Sequence, residues 1–132
     1  MPRGFYRSVA IALAAGVVAG CSGTSTSSGA SEVALTDEDK QTVSSNLCAI
    51  RGHATNVGNL TVNVTITYQA LDGAGAVIGT SLASFQIAPF SNFDFSFAKA
   101  NNQGQPSSGP FSNSLACSAI SSFKRSNLDV NA

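Results

Sequence analysis

The chain has 132 residues, of which seven are basic and seven are acidic, so its formal net charge at neutral pH is zero. That length suits one small domain with a short extension. Binding to nucleic acid requires a concentrated basic patch, and this balanced composition argues against such a partner.

The N-terminal residues have the composition of a secretory signal. Arg3 and Arg7 precede an apolar run at residues 9–20 that ends in small side chains. A basic head, a short apolar run and small residues at its end are the three parts of a signal peptide. A run of roughly a dozen residues is too short to span ~30 Å of hydrocarbon. We therefore predict a signal peptide at residues 1–20, whose removal leaves a weakly acidic chain.

The apolar run closes with Val18-Ala19-Gly20-Cys21. This sequence resembles the lipobox of bacterial lipoproteins, in which an aliphatic residue and two small residues precede a cysteine. The resemblance implies cleavage between Gly20 and Cys21, a diacylglyceryl group on the Cys21 thiol, and often a fatty acid such as palmitate on the new amine. It implies a lipid-anchored protein of the cell membrane or outer membrane, facing the periplasm or the cell exterior. The alternative is an ordinary secretory signal with a chance cysteine.

The next residues have a tether-like composition. Residues 22–31 are mostly Ser, Thr and Gly, which favours a flexible coil. Residues 32–45 are more acidic, and Thr36 followed by acids is typical of a helix start, so we predict at most a short helix or turn there. The acids lack the glycine and spacing of a calcium loop, and no metal or cofactor is predicted. The predicted division is a lipidated tether at residues 21–44 and a folded domain at residues 45–132.

The clearest strand lies at residues 60–68, where apolar and polar side chains alternate with period two. Residues 71–75 contain turn formers, and residues 76–82 return as the hairpin partner. Shorter strands are predicted at residues 46–51, which open the domain, and at residues 115–123, which close it. Several short strands without a long helix predict an all-β fold, namely a small Ig-like antiparallel β-sandwich.

An aromatic stretch and a long polar stretch lie in the C-terminal half. Phe93, Phe95 and Phe97 alternate with polar residues, so one face of a strand carries three aromatic rings. Each ring can bury ~150 Å² or more, which predicts core positions. The alternative is a surface on which a ligand stacks. Residues 100–113 are rich in Asn, Gln, Gly, Ser and Pro, and they predict a long exposed loop.

The chain has three cysteines. If Cys21 carries lipid, Cys48 and Cys117 remain as a pair in an oxidising compartment, and we predict a disulfide between them. Such a bridge would join the first predicted strand to the last and stabilise the fold by ~4 kcal/mol in the chain-entropy model. The alternative is two unpaired buried thiols. A metal site is not predicted, because two cysteines and His53 at scattered positions do not form a four-ligand set.

A second resemblance covers residues 50–97. The residues that carry it are Gly52, His53, Tyr68, Asp72, Gly75, Pro89 and Phe95. Together they resemble a small Ig-like family of bacterial surface proteins named for the signature Phe-x-Leu-Tyr-Asp (FxLYD). Asp72 matches the signature and Tyr68 keeps the aromatic residue, whereas Ala70 and Leu71 differ from it. The resemblance implies an extracytoplasmic accessory or interaction module, and the family has no catalytic residues to transfer.

Catalytic patterns are weak in this sequence. His53 is the only histidine, so any Ser–His or Cys–His mechanism would have to use it. A polar role at a strand edge is the favoured interpretation of His53. Asp72 lies in a predicted turn and Asp94 on the polar face of a strand, so the sequence does not define them as an acid–base pair. We therefore predict that the protein is not an enzyme.

Two functional hypotheses follow. The first is a lipid-anchored, non-catalytic binding or structural module that contacts envelope proteins through its loops or its polar sheet face. The second is an envelope carrier of a small apolar ligand, with the face formed by Phe93, Phe95 and Phe97 lining a cavity. A third hypothesis, a hydrolase, would require His53 to lie beside a serine or an aspartate in a cleft.

Overall fold

A computed structural model describes residues 32–132 of the chain. The predicted signal peptide, Cys21 and residues 22–31 of the predicted tether lie outside the described residues. Two three-stranded antiparallel sheets pack face to face, which confirms the predicted all-β sandwich. The strands are β1 (Val33–Ser44), β2 (Leu47–Asn56), β3 (Val62–Leu71), β4 (Val77–Ile87), β5 (Asn92–Phe95) and β6 (Ser122–Asn131). Within this part of the chain, no helix is long and apolar enough to cross a bilayer.

The first sheet has the order β1-β2-β5, and the second has the order β4-β3-β6. The chain therefore changes sheet between β2 and β3, again between β4 and β5, and a third time before β6. In immunoglobulin-type sandwiches, strands A, B and E are neighbours in one sheet, and strands C′, C and F are neighbours in the other. Here β1, β2 and β5 correspond to A, B and E, and β4, β3 and β6 correspond to C′, C and F. The order of the strands in both sheets therefore agrees with the predicted Ig-like sandwich.

Strand β3 lies at the centre of the second sheet, and alternate residues of β3 fill the core. The buried side chains are Val62, Val64, Ile66, Tyr68 and Ala70. The predicted alternation is confirmed, except that Leu60 lies before the strand and is exposed. The predicted hairpin partner is confirmed as β4, which continues to Ile87 and pairs with β3 along its length.

The prediction of a helix or turn at residues 32–45 is wrong, because this segment forms the long strand β1. Strand β1 pairs with β2 along its length, from Val33 opposite Asn56 to Ser44 opposite Leu47. The register shifts between Thr36 and Asp39, and Asp37 adopts a positive φ of 57° at that irregularity. At a bulge of this kind the extra residues are left unpaired and the strand bends locally before the pairing resumes. The first sheet therefore begins within the segment that the sequence assigns to the tether.

The prediction of an exposed loop at residues 100–113 is also wrong for its second half. Ser107, Ser108 and Phe111 are buried there. The Ser84 amide donates to the Ser107 carbonyl at 2.9 Å, and the Gly109 amide donates to the Leu82 carbonyl at 2.9 Å. This segment therefore covers the outer edge of β4, which satisfies backbone groups that an open edge would leave unpaired.

The predicted strand at residues 115–123 is wrong, since its centre forms a short 3₁₀ turn at Cys117–Ala119 and the last strand is β6. The predicted disulfide between Cys48 and Cys117 is present, with a Cα–Cα distance of 4.9 Å. It joins β2 to the turn that precedes β6, rather than the first strand to the last. The disulfide thus connects β2 of the first sheet to the segment that leads into β6 of the second sheet.

Candidate binding site on the first sheet

An open cleft of about 480 Å³ lies on the first sheet. All three strands contribute to it: β1 at the bulge, β2 at its centre, and β5 together with the residue that follows it. The lining residues are Asp37, Gln41, Arg51, Gly52, His53, Asp94, Phe95 and Ser96. Most of these side chains are polar or charged, so the cleft suits a polar ligand or a polar protein surface.

The side chains of His53 and Asp94 are in hydrogen-bonding contact across β2 and β5. The strand register places the two residues directly opposite each other. The His53 Nδ1 atom lies 2.5 Å from the Asp94 Oδ1 atom. Within residues 32–132, the other ring nitrogen, Nε2, has no hydrogen-bond partner. The pair therefore fixes the orientation of the imidazole and leaves one ring nitrogen to meet a ligand.

Gly52 and Phe95 form the floor of the cleft. A Cβ atom added at Gly52 would lie 2.5 Å from Phe95 Cζ, so a glycine is required at this close approach. Phe95 in turn stacks on Phe85, with 5.0 Å between ring centroids, and Phe93 also stacks on Phe85 at 5.0 Å. The core interpretation of Phe93 and Phe95 therefore agrees with their packing, whereas Phe97 lies beyond the end of β5 and is partly buried.

The charges in the cleft are mixed. Arg51 is exposed and forms no ion pair within the described part of the chain. Asp37 and Asp94 line the same cleft and supply carboxylate oxygens, while the Arg51 guanidinium provides up to five N–H donors. The cleft thus offers both donors and acceptors, and its guanidinium suits a carboxylate or a backbone carbonyl of a partner.

His53 does not lie alone on the surface, because it has an aspartate partner and lies in a cleft. A hydrolase also requires a nucleophile hydrogen-bonded to the imidazole. Ser96 is the serine of the cleft, and its Oγ atom accepts a hydrogen bond from the Lys99 amide at 3.1 Å. Across residues 32–132, no group of three or more histidine, cysteine or acidic side chains could hold a metal ion. The cleft therefore contains a His–Asp pair without a nucleophile bonded to it.

Asp72, the other aspartate considered from the sequence, stabilises a turn. Its Oδ1 atom accepts hydrogen bonds from the amides of Ala74 and Ala76, each at 2.9 Å, in the turn between β3 and β4. Asp94 belongs to the first sheet, where it pairs with His53. The structure therefore does not bring Asp72 and Asp94 together as an acid–base pair.

A second charged cluster connects the two sheets. Glu38 of β1 receives two hydrogen bonds from Arg125 of β6, at 2.8 and 3.2 Å, and one from the Tyr68 hydroxyl at 2.5 Å. Burial, followed by the Glu38 carboxylate, raises the pKa of Tyr68. The hydrogen bond to Glu38 raises the pKa of Arg125. This cluster could not be predicted from the sequence, because nothing local links Glu38 to Arg125, which lies 87 residues further along the chain.

The chain matches no protein-family model, no curated protein and no solved structure. Its fold and its cleft therefore define it as a β-sandwich domain with an open polar site on one sheet.

Proposed function

We propose that this protein is a lipid-anchored lipoprotein of the cell envelope, and that its sandwich is a non-catalytic binding module. The observation that carries the proposal is the open polar cleft on the first sheet. Among residues 32–132, its Arg51 side chain forms no ion pair and its His53–Asp94 pair has no nucleophile bonded to it. Such a site can bind a partner through hydrogen bonds and charge without performing chemistry on it.

The partner that fits this cleft is a polar segment of an envelope protein. Arg51 would bind a carboxylate or a backbone carbonyl, while Asp37 and Asp94 would accept hydrogen bonds from N–H donors. The cleft volume of about 480 Å³ exceeds that of an ion and suits several residues of an extended peptide. A nucleic acid does not fit, because two of the charged side chains that line the cleft are carboxylates.

Two features support an exported, anchored protein. The first is the sequence Val18-Ala19-Gly20-Cys21, which would supply the lipid. The second is the disulfide between Cys48 and Cys117, since such bonds persist in oxidising compartments. Lipid chains on a single cysteine would hold the protein at the membrane without a transmembrane segment.

The packing favours a binding module over a carrier of an apolar ligand. A carrier would need a dry cavity beside the aromatic rings. Phe93 and Phe95 instead both stack on Phe85, so the three rings pack against one another. The part of Phe95 that reaches the cleft is surrounded there by polar side chains. The carrier hypothesis is therefore the second candidate.

Crosslinking in intact cells tests the binding module. A photo-reactive amino acid would replace Gln41, which lines the cleft, and in a matched control it would replace Gln86, which is exposed on the second sheet. We expect a discrete crosslinked envelope protein from position 41 only, and we expect His53→Ala to remove that product without altering the melting temperature by more than about 3 °C. Equal products from both positions would refute the cleft as the binding site.

Fractionation of cells tests the anchor separately. Cys21→Ala should move the protein out of the membrane fraction, because the lipid would have no attachment site. Ser22→Ala is a matched control that keeps the cysteine and should remain in the membrane fraction. Membrane association of Cys21→Ala equal to that of the unaltered protein would show that the lipobox interpretation is wrong.

A further inference from the structure

Three of the large exposed hydrophobic side chains lie at one end of the sandwich. Val57 and Leu60, in the loop between β2 and β3, are 59 % and 55 % exposed, and Phe90, in the loop between β4 and β5, is 72 % exposed. The Phe90 amide donates to the Gly58 carbonyl at 3.1 Å, so the two loops are in direct contact. We call Val57, Leu60 and Phe90 the apolar tip.

Hydrogen bonds hold the apolar tip in one conformation. Asn56 is fully buried beneath it. The Asn56 side chain donates to the Leu60 carbonyl at 2.7 Å and accepts from the Gly58 amide at 2.9 Å. Phe90 has a positive φ of 54°, a conformation that costs energy for a bulky residue and persists only where its surroundings impose it. The tip is thus a preformed apolar surface.

The chain enters the fold at the same end. The Val57 amide donates to the Glu32 carbonyl at 2.9 Å, and Val33, the first residue of β1, lies opposite Asn56. Glu32 follows Cys21 by eleven positions in the sequence. At ~3.6 Å per residue, this connection reaches at most about 40 Å when fully extended. A lipid on Cys21 would therefore keep this end of the sandwich within about 40 Å of the membrane.

We propose that the apolar tip inserts into the lipid bilayer beside the anchor and thereby sets the orientation of the domain. This inference rests on the proposed lipid on Cys21. Phenylalanine and aliphatic side chains partition favourably into the boundary between headgroups and acyl chains. Residues 57–61 and 88–91 contain no charged side chain, whereas the Glu32 carboxylate lies against Gly58 beside them. Insertion would therefore be shallow, with the three apolar side chains in the boundary and Glu32 at the level of the headgroups.

A bilayer fits the tip better than a protein partner does. A stable protein interface buries about 800 Å² on each side, which is far more than three side chains provide. A bilayer requires only that the side chains reach its boundary, and the anchor already holds them near it. Because the lipid already holds the protein at the membrane, the apolar tip would have a high effective concentration at the bilayer surface. Even a weak contact between the tip and the bilayer would then be populated.

Tryptophan fluorescence tests this inference, because the chain has no tryptophan. Phe90→Trp places a single reporter in the tip, and Leu60→Trp is a second reporter there if the first variant does not fold. Val77→Trp is the matched control: Val77 is 50 % exposed and lies beside the turn at the opposite end of the sandwich. Each lipidated full-length protein would be reconstituted into phosphatidylcholine vesicles, with and without brominated acyl chains.

We expect the emission of the tip reporter to shift to shorter wavelength in vesicles and to be quenched by brominated chains, while the Val77→Trp emission stays unchanged. If the protein floats with the vesicles and both reporters remain solvated, tip insertion is wrong and the anchor stands. If the protein does not float with vesicles, the proposed anchor itself fails. A tip reporter already shielded from acrylamide without vesicles would also overturn the inference, because the tip would then be covered by protein.

Discussion

Asn56 should be the most sensitive polar residue of the fold. Its side chain is fully buried at the end of β2, where it bridges the loops that form the apolar tip. The Nδ2 atom lies within hydrogen-bonding distance of three carbonyl oxygens, and the Oδ1 atom accepts from a backbone amide. We therefore expect Asn56→Ala to destabilise the domain strongly although it removes no apolar contact.

The magnitude follows from the number of bonds. A carboxamide has two N–H donors, so Asn56 makes three strong hydrogen bonds at a time. At about 1 kcal/mol of net stabilisation per bond, their loss costs about 3 kcal/mol. For a domain of this size, about 4–8 °C of melting temperature corresponds to each kcal/mol, which gives a decrease of about 12–24 °C. Asn56→Asp should cost more at neutral pH, since it directs a buried carboxylate at carbonyl oxygens.

Thermal unfolding followed by circular dichroism measures this effect, with disulfides intact. Asn92→Ala is a matched control, because Asn92 is exposed and only accepts a hydrogen bond from the Thr55 hydroxyl at 3.1 Å. The control should change the free energy of unfolding by less than about 0.5 kcal/mol. A decrease for Asn56→Ala no larger than that of Asn92→Ala would refute this account of the loops.

Three further predictions concern the core, the disulfide and the tyrosine. Gly52→Ala should destabilise the domain by about 1–3 kcal/mol, because its Cβ would overlap the Phe95 ring, which lies 2.5 Å away. Cys117→Ser should lower the stability by ~4 kcal/mol, since the disulfide closes a loop with a sequence separation of 69 residues. In a protein produced from residue 21 onwards, Tyr68 is the only tyrosine, and its ultraviolet absorbance should show no ionisation at pH 10–11.

The sign of the pH dependence follows from the raised pKa of Tyr68. Burial first, and then the Glu38 carboxylate, favour the protonated tyrosine in the folded state. Below about pH 10, Tyr68 is protonated in both states and this contribution to stability is complete. Above about pH 10, the unfolded state loses its proton first, so the free energy of unfolding decreases as the pH rises. Tyr68→Phe should remove this decrease, and an unchanged pH profile would contradict the assignment.

The other two predictions have their own controls. Gly73→Ala is the match for Gly52→Ala, because a Cβ there would meet only the Ser121 hydroxyl at 3.7 Å, and we expect it to be nearly neutral. Equal effects at both glycines would contradict the packing argument. For the disulfide, a reductant should lower the melting temperature of the unaltered protein to that of Cys117→Ser and leave the variant unchanged. A variant that still responds to the reductant would show that another bond is involved.

The sequence predicts the elements whose burial follows a local pattern. Strand β3 alternates between core and exterior over its full length, and this period of two is visible without any knowledge of its partners. The cysteine pair could be predicted as well, because a lipid on Cys21 would leave an even number. The fold class follows from these local features, since several short strands without a long helix have few ways to pack.

The elements that the sequence analysis missed depend on partners far along the chain. In the acidic segment of β1, Glu38 forms an ion pair with Arg125 of β6, and the Lys40 ammonium donates a hydrogen bond to the Ile120 carbonyl at 2.8 Å. These contacts with distant residues stabilise the segment as a strand. Phe111 is a single large apolar residue in a polar stretch, so no periodicity shows that it is buried. The cleft could not be located for the same reason: His53 and Asp94 are on separate strands, and only their register brings them together.

The two proposals make one joint prediction about the height of the cleft above the membrane. His53 precedes Asn56 by three residues, which at ~3.3 Å per residue places the cleft about 10 Å above the apolar tip. If the tip rests in the bilayer, this height is independent of tether length. A second copy of residues 22–31 should then leave unchanged the energy transfer from a dye at position 51 to a dye-labelled lipid. In a Leu60→Ser, Phe90→Ser variant, the same insertion should lower the transfer, since only the tether would hold the domain. A loss of transfer with the tip intact would show that the domain is suspended rather than docked.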